Sequence, residues 1–205
     1  MLIKIKRQDC LTQYQCFPLR SFDYKTDDER FYYPNVYKSY ILTLPSKSFK
    51  GHVLTLAKEV TKLTQAINAP TLIFLGDTNI AWLYQNKDYK PVKAALEYLA
   101  NNKVGKRFNG ALRVESTELT IFIKHIAWLT RCNAALPYFH FIDPGQNIVG
   151  NICKYGNLHL DTLKSQSDEL IRAFMNTSKF EYGDKNSCLN RFGKTSAISG
   201  RQTVV

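Results

Sequence analysis

Four carboxylates stand where an acid can do more than face water: Asp77, Glu118, Asp168 and Asp184. Asp77 lies in Thr71-Leu-Ile-Phe-Leu-Gly-Asp-Thr-Asn79, directly after the apolar run Leu72 to Leu75 and a glycine. Glu118 follows Ser116 and Thr117 at the start of a long apolar helical pattern. Asp168 precedes the stripe Leu170, Ile171, Phe174 and Met175, and Asp184 follows a short strand suggested by Phe180 and Tyr182. Acids carried on different elements and converging at strand ends can hold one or two hard divalent cations, Mg²⁺ or Mn²⁺, which prefer oxygen ligands. Like charges so close repel unless a cation lies between them. Such a metal lowers the pKa of a bound water and steadies the leaving oxygen of a phosphodiester. Each acid also has an ordinary structural use: Asp77 as a helix N-cap, Glu118 as a charge on a helix N-terminus.

The elements that must position these acids alternate between strand and helix patterns. Leu72 to Leu75 reads as a strand buried on both faces, as in a parallel sheet. Val53, Leu56, Ala57, Val60, Leu63, Ala66 and Ile67 recur at helical steps and predict an amphipathic helix from Phe49 to Asn68. Ile80 to Tyr84 begins another helix, and Pro91 suits the first turn of one running to Ala100. Ala111 to Glu115 is a short strand, followed by an apolar helix to about Cys132. Tyr138 to Asp143, Ile148 to Cys153 and Leu158 to Leu160 form a small antiparallel patch, and Thr162 to Asn176 a further helix. Near the start, Leu2 to Lys6 and Tyr40 to Leu44 read as strands. Between them, the aromatics of Phe31 to Tyr40 either stack on bases or pack on a sheet. The rhythm predicts an α/β chain with a mostly parallel central sheet. Its parts are an N-terminal extension over 1–69, packed on a main domain over 70–190, and a basic tail over 191–205.

Lys and Arg exceed Asp and Glu by 28 to 17, a net charge of +11 that favours an anionic partner, nucleic acid being the commonest. Lys103, Lys106 and Arg107 in the loop 101–110, with Arg113 beyond it, are the residues suited to gripping phosphates. The five cysteines are odd in number and widely spread, without a CxxC pair, so neither a zinc site nor a disulfide framework is expected, and a reducing cytoplasm fits. No signal peptide and no apolar run long enough for a membrane span is read from the chain. His140 with Asp143, and His159 with Asp161, are pairs able to bind metal or move protons. Strand alternation puts His140 and Asp143 on opposite faces, and a histidine in a hairpin is more often structural, so both pairs read as weak. Gly193-Lys-Thr-Ser196 lacks the first glycine of a phosphate-binding loop.

Over roughly residues 70 to 190 the order of these motifs resembles the PIN-domain nucleases, a family that includes toxins of bacterial toxin–antitoxin pairs. Leu75-Gly-Asp77-Thr-Asn-Ile-Ala-Trp-Leu resembles the family's first strand and Asp-Thr-Asn, and Leu112-Arg-Val-Glu-Ser-Thr-Glu118-Leu the segment with the second acid. Asp168-Glu-Leu-Ile-Arg-Ala and Tyr182-Gly-Asp184-Lys-Asn are similar to those carrying the third and fourth. The resemblance implies a Rossmann-like α/β/α sandwich and an endoribonuclease dependent on Mg²⁺ or Mn²⁺. Asp77, Glu118 and Asp168 would be ligands, Asp184 a further ligand or water-positioning group, and Asn79 would orient Asp77 or the water. An acidic antitoxin or complex subunit is the protein partner such a chain would have. Four features depart from the pattern: some seventy residues precede Asp77, a hairpin-like region covers 138–161, Tyr182 stands where Ser or Thr is common, and the helix at Asp168 lacks the family's usual small residues beyond Ala173. Two alternatives remain open: a non-catalytic basic module that binds nucleic acid, and a subunit of a protein complex.

Overall fold

A computed structural model describes residues 2–23, 25–83, 89–132, 136–184 and 188–193. The elements run β1 (Leu2–Ile5), α1 (Arg7–Gln13), β2 (Leu19–Asp23), β3 (Asp28–Tyr32), β4 (Lys38–Thr43), α2 (Phe49–Ala66), β5 (Thr71–Gly76), α3 (Lys90–Asn101), β6 (Ala111–Glu115), α4 (Ser116–Cys132), β7 (Phe139–Ile142), β8 (Ile148–Ile152), β9 (Leu158–Thr162), α5 (Ser165–Met175) and β10 (Glu181–Gly183). Eight strands form one sheet in the order β1-β6-β5-β7-β8-β9-β4-β10, and β2 with β3 forms a separate hairpin.

Every pairing in the large sheet is antiparallel. This overturns the expected Rossmann-like sandwich with its mostly parallel sheet. The strand–helix–strand rhythm is real, and three of the helices do join strands of like direction, while α3 joins the antiparallel neighbours β5 and β6. β4 leads through α2 to β5, β6 through α4 to β7, and β9 through α5 to β10. In each case at least one antiparallel strand lies between the two. Pattern alone reports that a helix returns the chain to the same end of a sheet; it does not report which strand becomes the neighbour. The all-apolar run in β5 shows only that both faces are covered, which a two-sided antiparallel sheet also requires. Residues 1–69 supply β1, α1, β4 and α2, so they share the sheet and core of the rest of the chain.

One face carries the helices. Leu72 and Phe74 of β5, Leu112 and Val114 of β6, Phe139 and Phe141 of β7 and Leu158 and Leu160 of β9 meet Val53, Leu56 and Leu63 of α2 and Phe122, Ile123 and Leu129 of α4. Ser48 caps α2 by accepting from Gly51 N at 3.2 Å, and Pro91 sits in the first turn of α3, as its fixed φ allows. Expected helices 49–68 and 91–100 therefore form within a residue or two. Trp82 folds back onto Phe139, ring centroids 4.0 Å apart, and donates from Nε1 to Gly110 O at 2.8 Å. Ile80 to Leu83 makes a turn rather than the start of a helix, while Tyr84 lies outside the described residues, as do most of the 191–205 tail and Lys194 to Ser196.

The opposite face is covered unevenly. Cys10, Tyr14, Cys16 and Phe17, from α1 and the turn after it, seal it over Ile73, Leu75, Ala111, Ile142 and Val149. Beyond that patch the β2–β3 hairpin and residues 33–36 arch over β7, β8, β9 and β4, and the space between them and the sheet stays open. No described helix is long and apolar enough to cross a membrane.

Candidate functional site

Strand register builds the floor of this open space. Leu75 lies opposite His140, His140 opposite Asn151, Asn151 opposite His159, and His159 opposite Ile41. Because side chains alternate across a pleated strand, a single cross-strand row shares one face. His140, Asn151 and His159 thus form a polar line across three adjacent strands, on the face away from the helices. One step along, Asp161 lies opposite Val149 and Ser39. The cavity above this floor measures about 560 Å³ and is walled by Phe31, Tyr33, Val36 and Tyr138, with Arg20 and Asp77 at one end and Cys188 at the other.

Asp77 holds the first end together. Its Oδ2 accepts from Arg20 Nη2 at 2.6 Å and Nε at 3.0 Å, and its Oδ1 from Tyr138 N at 3.0 Å. Its backbone O accepts from Arg20 N at 2.7 Å, which ties the β2–β3 hairpin to the end of β5. Arg20 also donates to Glu29 at 3.4 Å, and its guanidinium lies over the Tyr138 ring. Asp77 is 1% exposed, so this is a buried carboxylate with its charge compensated.

His140 is 7% exposed, and its Nδ1 has no hydrogen-bond partner among the described residues. Tyr33 packs edge-on against its ring at 6.2 Å and donates its hydroxyl to Asp161. Burial, helped by the nearby positive charge of Arg20 and by His159, pushes His140 down to about 3, so the ring is neutral at physiological pH. Burial and the bond to Asp161 push the Tyr33 hydroxyl far up, so it stays a donor.

At the other end Cys153, His159 and Cys188 meet, with their Sγ and ring-nitrogen atoms all within 4.8 Å of one another. Cys188 Sγ lies 3.3 Å from His159 Nε2 and accepts from Asn157 Nδ2 at 3.6 Å. The tight turn between β8 and β9 sets Cys153: its N donates to Asn157 O and its O accepts from Gly156 N. Gly156 has φ +92°, and a Cβ there would come within 2.7 Å of His52 Nε2, so only glycine closes this turn. Cys188 is placed by residues a little further along the chain. Asn190 accepts from Arg131 at 2.8 Å, and Phe192 packs on Phe49 and His52. Burial pushes the Cys153 thiol up, while hydrogen bonds from Cys153, His159 and Asn157 draw the Cys188 thiol below its ordinary range.

The structure does not bring together the four acids singled out by the sequence. Asp77 follows the end of β5, whereas Glu118 lies beyond Glu115, which pairs with Thr71 at the start of β5. The length of that strand, roughly 20 Å for six residues at the usual rise, separates the two ends. Glu118 accepts from the Tyr98 hydroxyl at 2.6 Å, and Asp168 accepts from the Tyr40 hydroxyl and from Arg172 at 3.0 Å. Asp184 is exposed at the end of β10, and Asn79 is exposed, its carbonyl accepting from Asn109. Among the described residues, the group of three metal-ligand side chains that does converge is Cys153, His159 and Cys188, not these carboxylates. An antiparallel sheet sends successive strands to opposite ends, so acids that a parallel sheet would gather are dispersed. No family model, no curated protein and no solved structure matches this chain.

Of the four basic residues expected to meet phosphates, Lys103, Lys106 and Arg107 are exposed. Arg113 is half-buried under α1 and donates to the Tyr14 hydroxyl at 3.1 Å. Asp143 is a turn residue, accepting from the backbone N–H groups of Gly145, Asn147 and Ile148. His140 and His159 sit in strands as expected, but both line the cavity. Arg20, Asn151, Cys153 and Cys188 carry no sequence signal of their own, and Tyr33 stood out only as one of the aromatics of Phe31 to Tyr40. The short step Cys153 to His159 across a Gly-containing turn is a signal that could have found the cluster.

Proposed function

We propose that the protein binds a small planar molecule, neutral or positively charged, in the cavity over the open sheet face, and that the Cys188–His159 end is where chemistry on it takes place. What carries this reading is the His140–Asn151–His159 row: three polar side chains aligned on the floor of a cavity of a size that holds a small ligand. A buried polar nitrogen without a protein partner, such as His140 Nδ1, is costly unless something in the cavity bonds to it. The aromatic walls, Phe31, Tyr33 and Tyr138, suit a flat ring or a cation.

Charge narrows the ligand further. Despite the +11 of the whole chain, the described residues lining the cavity include two carboxylates, Asp77 and Asp161, against one guanidinium, that of Arg20, which Asp77 and Glu29 already engage. An anionic ligand would meet more negative than positive charge there. Saturation-transfer NMR with nucleobases, aromatic amines and matched aromatic carboxylates tests this. Bases and amines should bind wild type and lose most of their signal in Asn151→Leu. Equal binding of the carboxylates, or signals unchanged in Asn151→Leu, would refute the assignment.

A second reading rests on a different surface. Lys4, Lys103, Lys106 and Arg107 are exposed near the end where β1 leads toward α1, and Lys4 Nζ donates to Lys103 O at 2.8 Å. This basic edge favours contact with nucleic-acid phosphates, and it lies apart from the cavity.

A further inference from the structure

We propose that Cys153, His159 and Cys188 bind one zinc ion, with the fourth coordination position opening into the cavity. Two thiolates and an imidazole are the ligand set that selects zinc over the hard cations the sequence suggested, since sulfur and nitrogen donors suit a borderline-soft ion and magnesium demands oxygen. Tetrahedral zinc, at about 2.3 Å from sulfur and about 2.0 Å from nitrogen, places its donors roughly 3.5 to 3.8 Å from one another. Cys188 Sγ and His159 Nε2 stand 3.3 Å apart, and all three donor atoms lie within 4.8 Å, so closing on an ion needs only small shifts of the side chains.

The surroundings also match a metal centre. Cys153 is 3% exposed and is held by the Gly156 turn. The Nδ2 of Asn157 points at Cys188 Sγ, an N–H donor of the kind that supports a bound thiolate. Cys188 and His159 line the cavity while Cys153 does not. An ion between them therefore sits in the cavity wall, with protein on three sides and space on the fourth. Three protein ligands and one open position are the arrangement in which zinc takes a water and lowers its pKa, or polarises a carbonyl of a bound molecule. Two thiolates cancel the charge of the ion, so the site adds no net positive charge to the cavity and agrees with a ligand that is not an anion. The metal site stands on its own geometry and is tested without any organic ligand, so its failure and that of the binding assignment are separable.

The test uses the full chain, purified with reduced thiols and stripped of metal, then titrated with Co²⁺ and afterwards with Zn²⁺. Co²⁺ should give thiolate charge-transfer absorption and tetrahedral visible bands at one equivalent, and one equivalent of Zn²⁺ should abolish both. Cys188→Ser should lose at least tenfold in affinity and roughly half the charge-transfer intensity, while Cys132→Ser, outside the cluster, should leave both intact. Added imidazole should shift the visible bands by entering the fourth position. Should the cysteine variants fail to fold, X-ray absorption on the wild-type zinc protein still counts two sulfurs. Four overturning results are defined: no charge-transfer band, a sulfur count other than two, bands indifferent to imidazole, or a Cys153–Cys188 disulfide that persists after reduction and excludes metal.

Discussion

Protonation of His140 should couple acid to unfolding. In the unfolded chain a histidine titrates near 6.5, whereas in the folded protein burial holds His140 down to about 3. Well above pH 6.5 the ring is neutral in both states and contributes no pH dependence. As pH falls below 6.5 the unfolded chain takes up a proton that the folded chain refuses, so stability drops until the folded ring titrates. At pH 5 the unfolded ring is almost wholly protonated and the folded one almost wholly neutral. The loss relative to pH 7 is about 2 kcal/mol, from one and a half units at about 1.36 kcal/mol each. His140 is 7% exposed, so solvent screening removes little of this. Urea denaturation of wild type and His140→Gln at pH 7 and pH 5 is the assay. Other titrating groups, including His125, which burial and Lys124 lower to about 4, and His52, which burial also lowers, act in both proteins and cancel in the difference. Wild type should lose about 2 kcal/mol more than the variant between the two pH values. At a urea slope of about 2 kcal/mol/M that is about 1 M in midpoint. Parallel pH profiles for the two proteins would show that the ring takes up protons while folded, and so is not held buried and positively biased beneath Tyr33 and beside Arg20.

Three further outcomes are expected. Asp77→Ala leaves Arg20 without its main partner and frees the hairpin from β5, so it should cost about 3 kcal/mol in urea melts; a loss under about 1 kcal/mol would mean the ion pair holds nothing. Gly150→Ala puts a Cβ 2.4 Å from the Phe141 ring across the β7–β8 pair and should destabilise by roughly 1 to 3 kcal/mol, measured the same way, with a neutral result contradicting the register. Reversing Lys103, Lys106 and Arg107 to Glu should flatten the salt dependence of single-stranded RNA binding by about 2 in log–log slope while leaving cobalt absorption unchanged; an unaltered slope would remove the basic edge from that role.

Local structure was legible where one element decides its own conformation. The helical steps of Val53 to Ile67, the proline at 91 and the twofold apolar coverage of Leu72 to Leu75 appear as α2, α3 and β5 because each depends on burial of its own face. Strand direction was not legible, since it depends on which strand lies beside which. β5 is flanked by β6 and β7, whose joining helix α4 carries the chain from one end of the sheet to the other past β5. The same residues would serve a parallel arrangement equally well by periodicity. Glu118 shows the consequence. Its place in the first turn of α4 was anticipated, but the direction of β6 carries it to the end of the sheet where β5 begins, where Tyr98 bonds to it, rather than to Asp77.

The candidate site was hidden for a related reason, and its composition explains why. An acidic cluster on strand ends can be guessed from single motifs, because each acid sits at a recognisable turn. A row such as His140, Asn151 and His159 exists only through register: shifting β8 by one residue would turn Asn151 to the helix face and bring Gly150 or Ile152 into line. Register here is held by the core on the other face. Gly150 leaves room for the Phe141 ring opposite it, and Ile148 and Ile152 flank it in the same apolar layer. Packing of the helix layer thus dictates which polar atoms share the cavity floor. Cys188 joins them through Asn190 on Arg131 and Phe192 on Phe49 and His52, contacts made in that same layer. The ligands of the proposed zinc ion are therefore positioned from the hydrophobic side of the sheet. A substitution that loosens the helix face, such as Phe49→Ala, should weaken cobalt binding although it touches no donor atom; unchanged affinity would show that Cys188 is placed by its own loop alone.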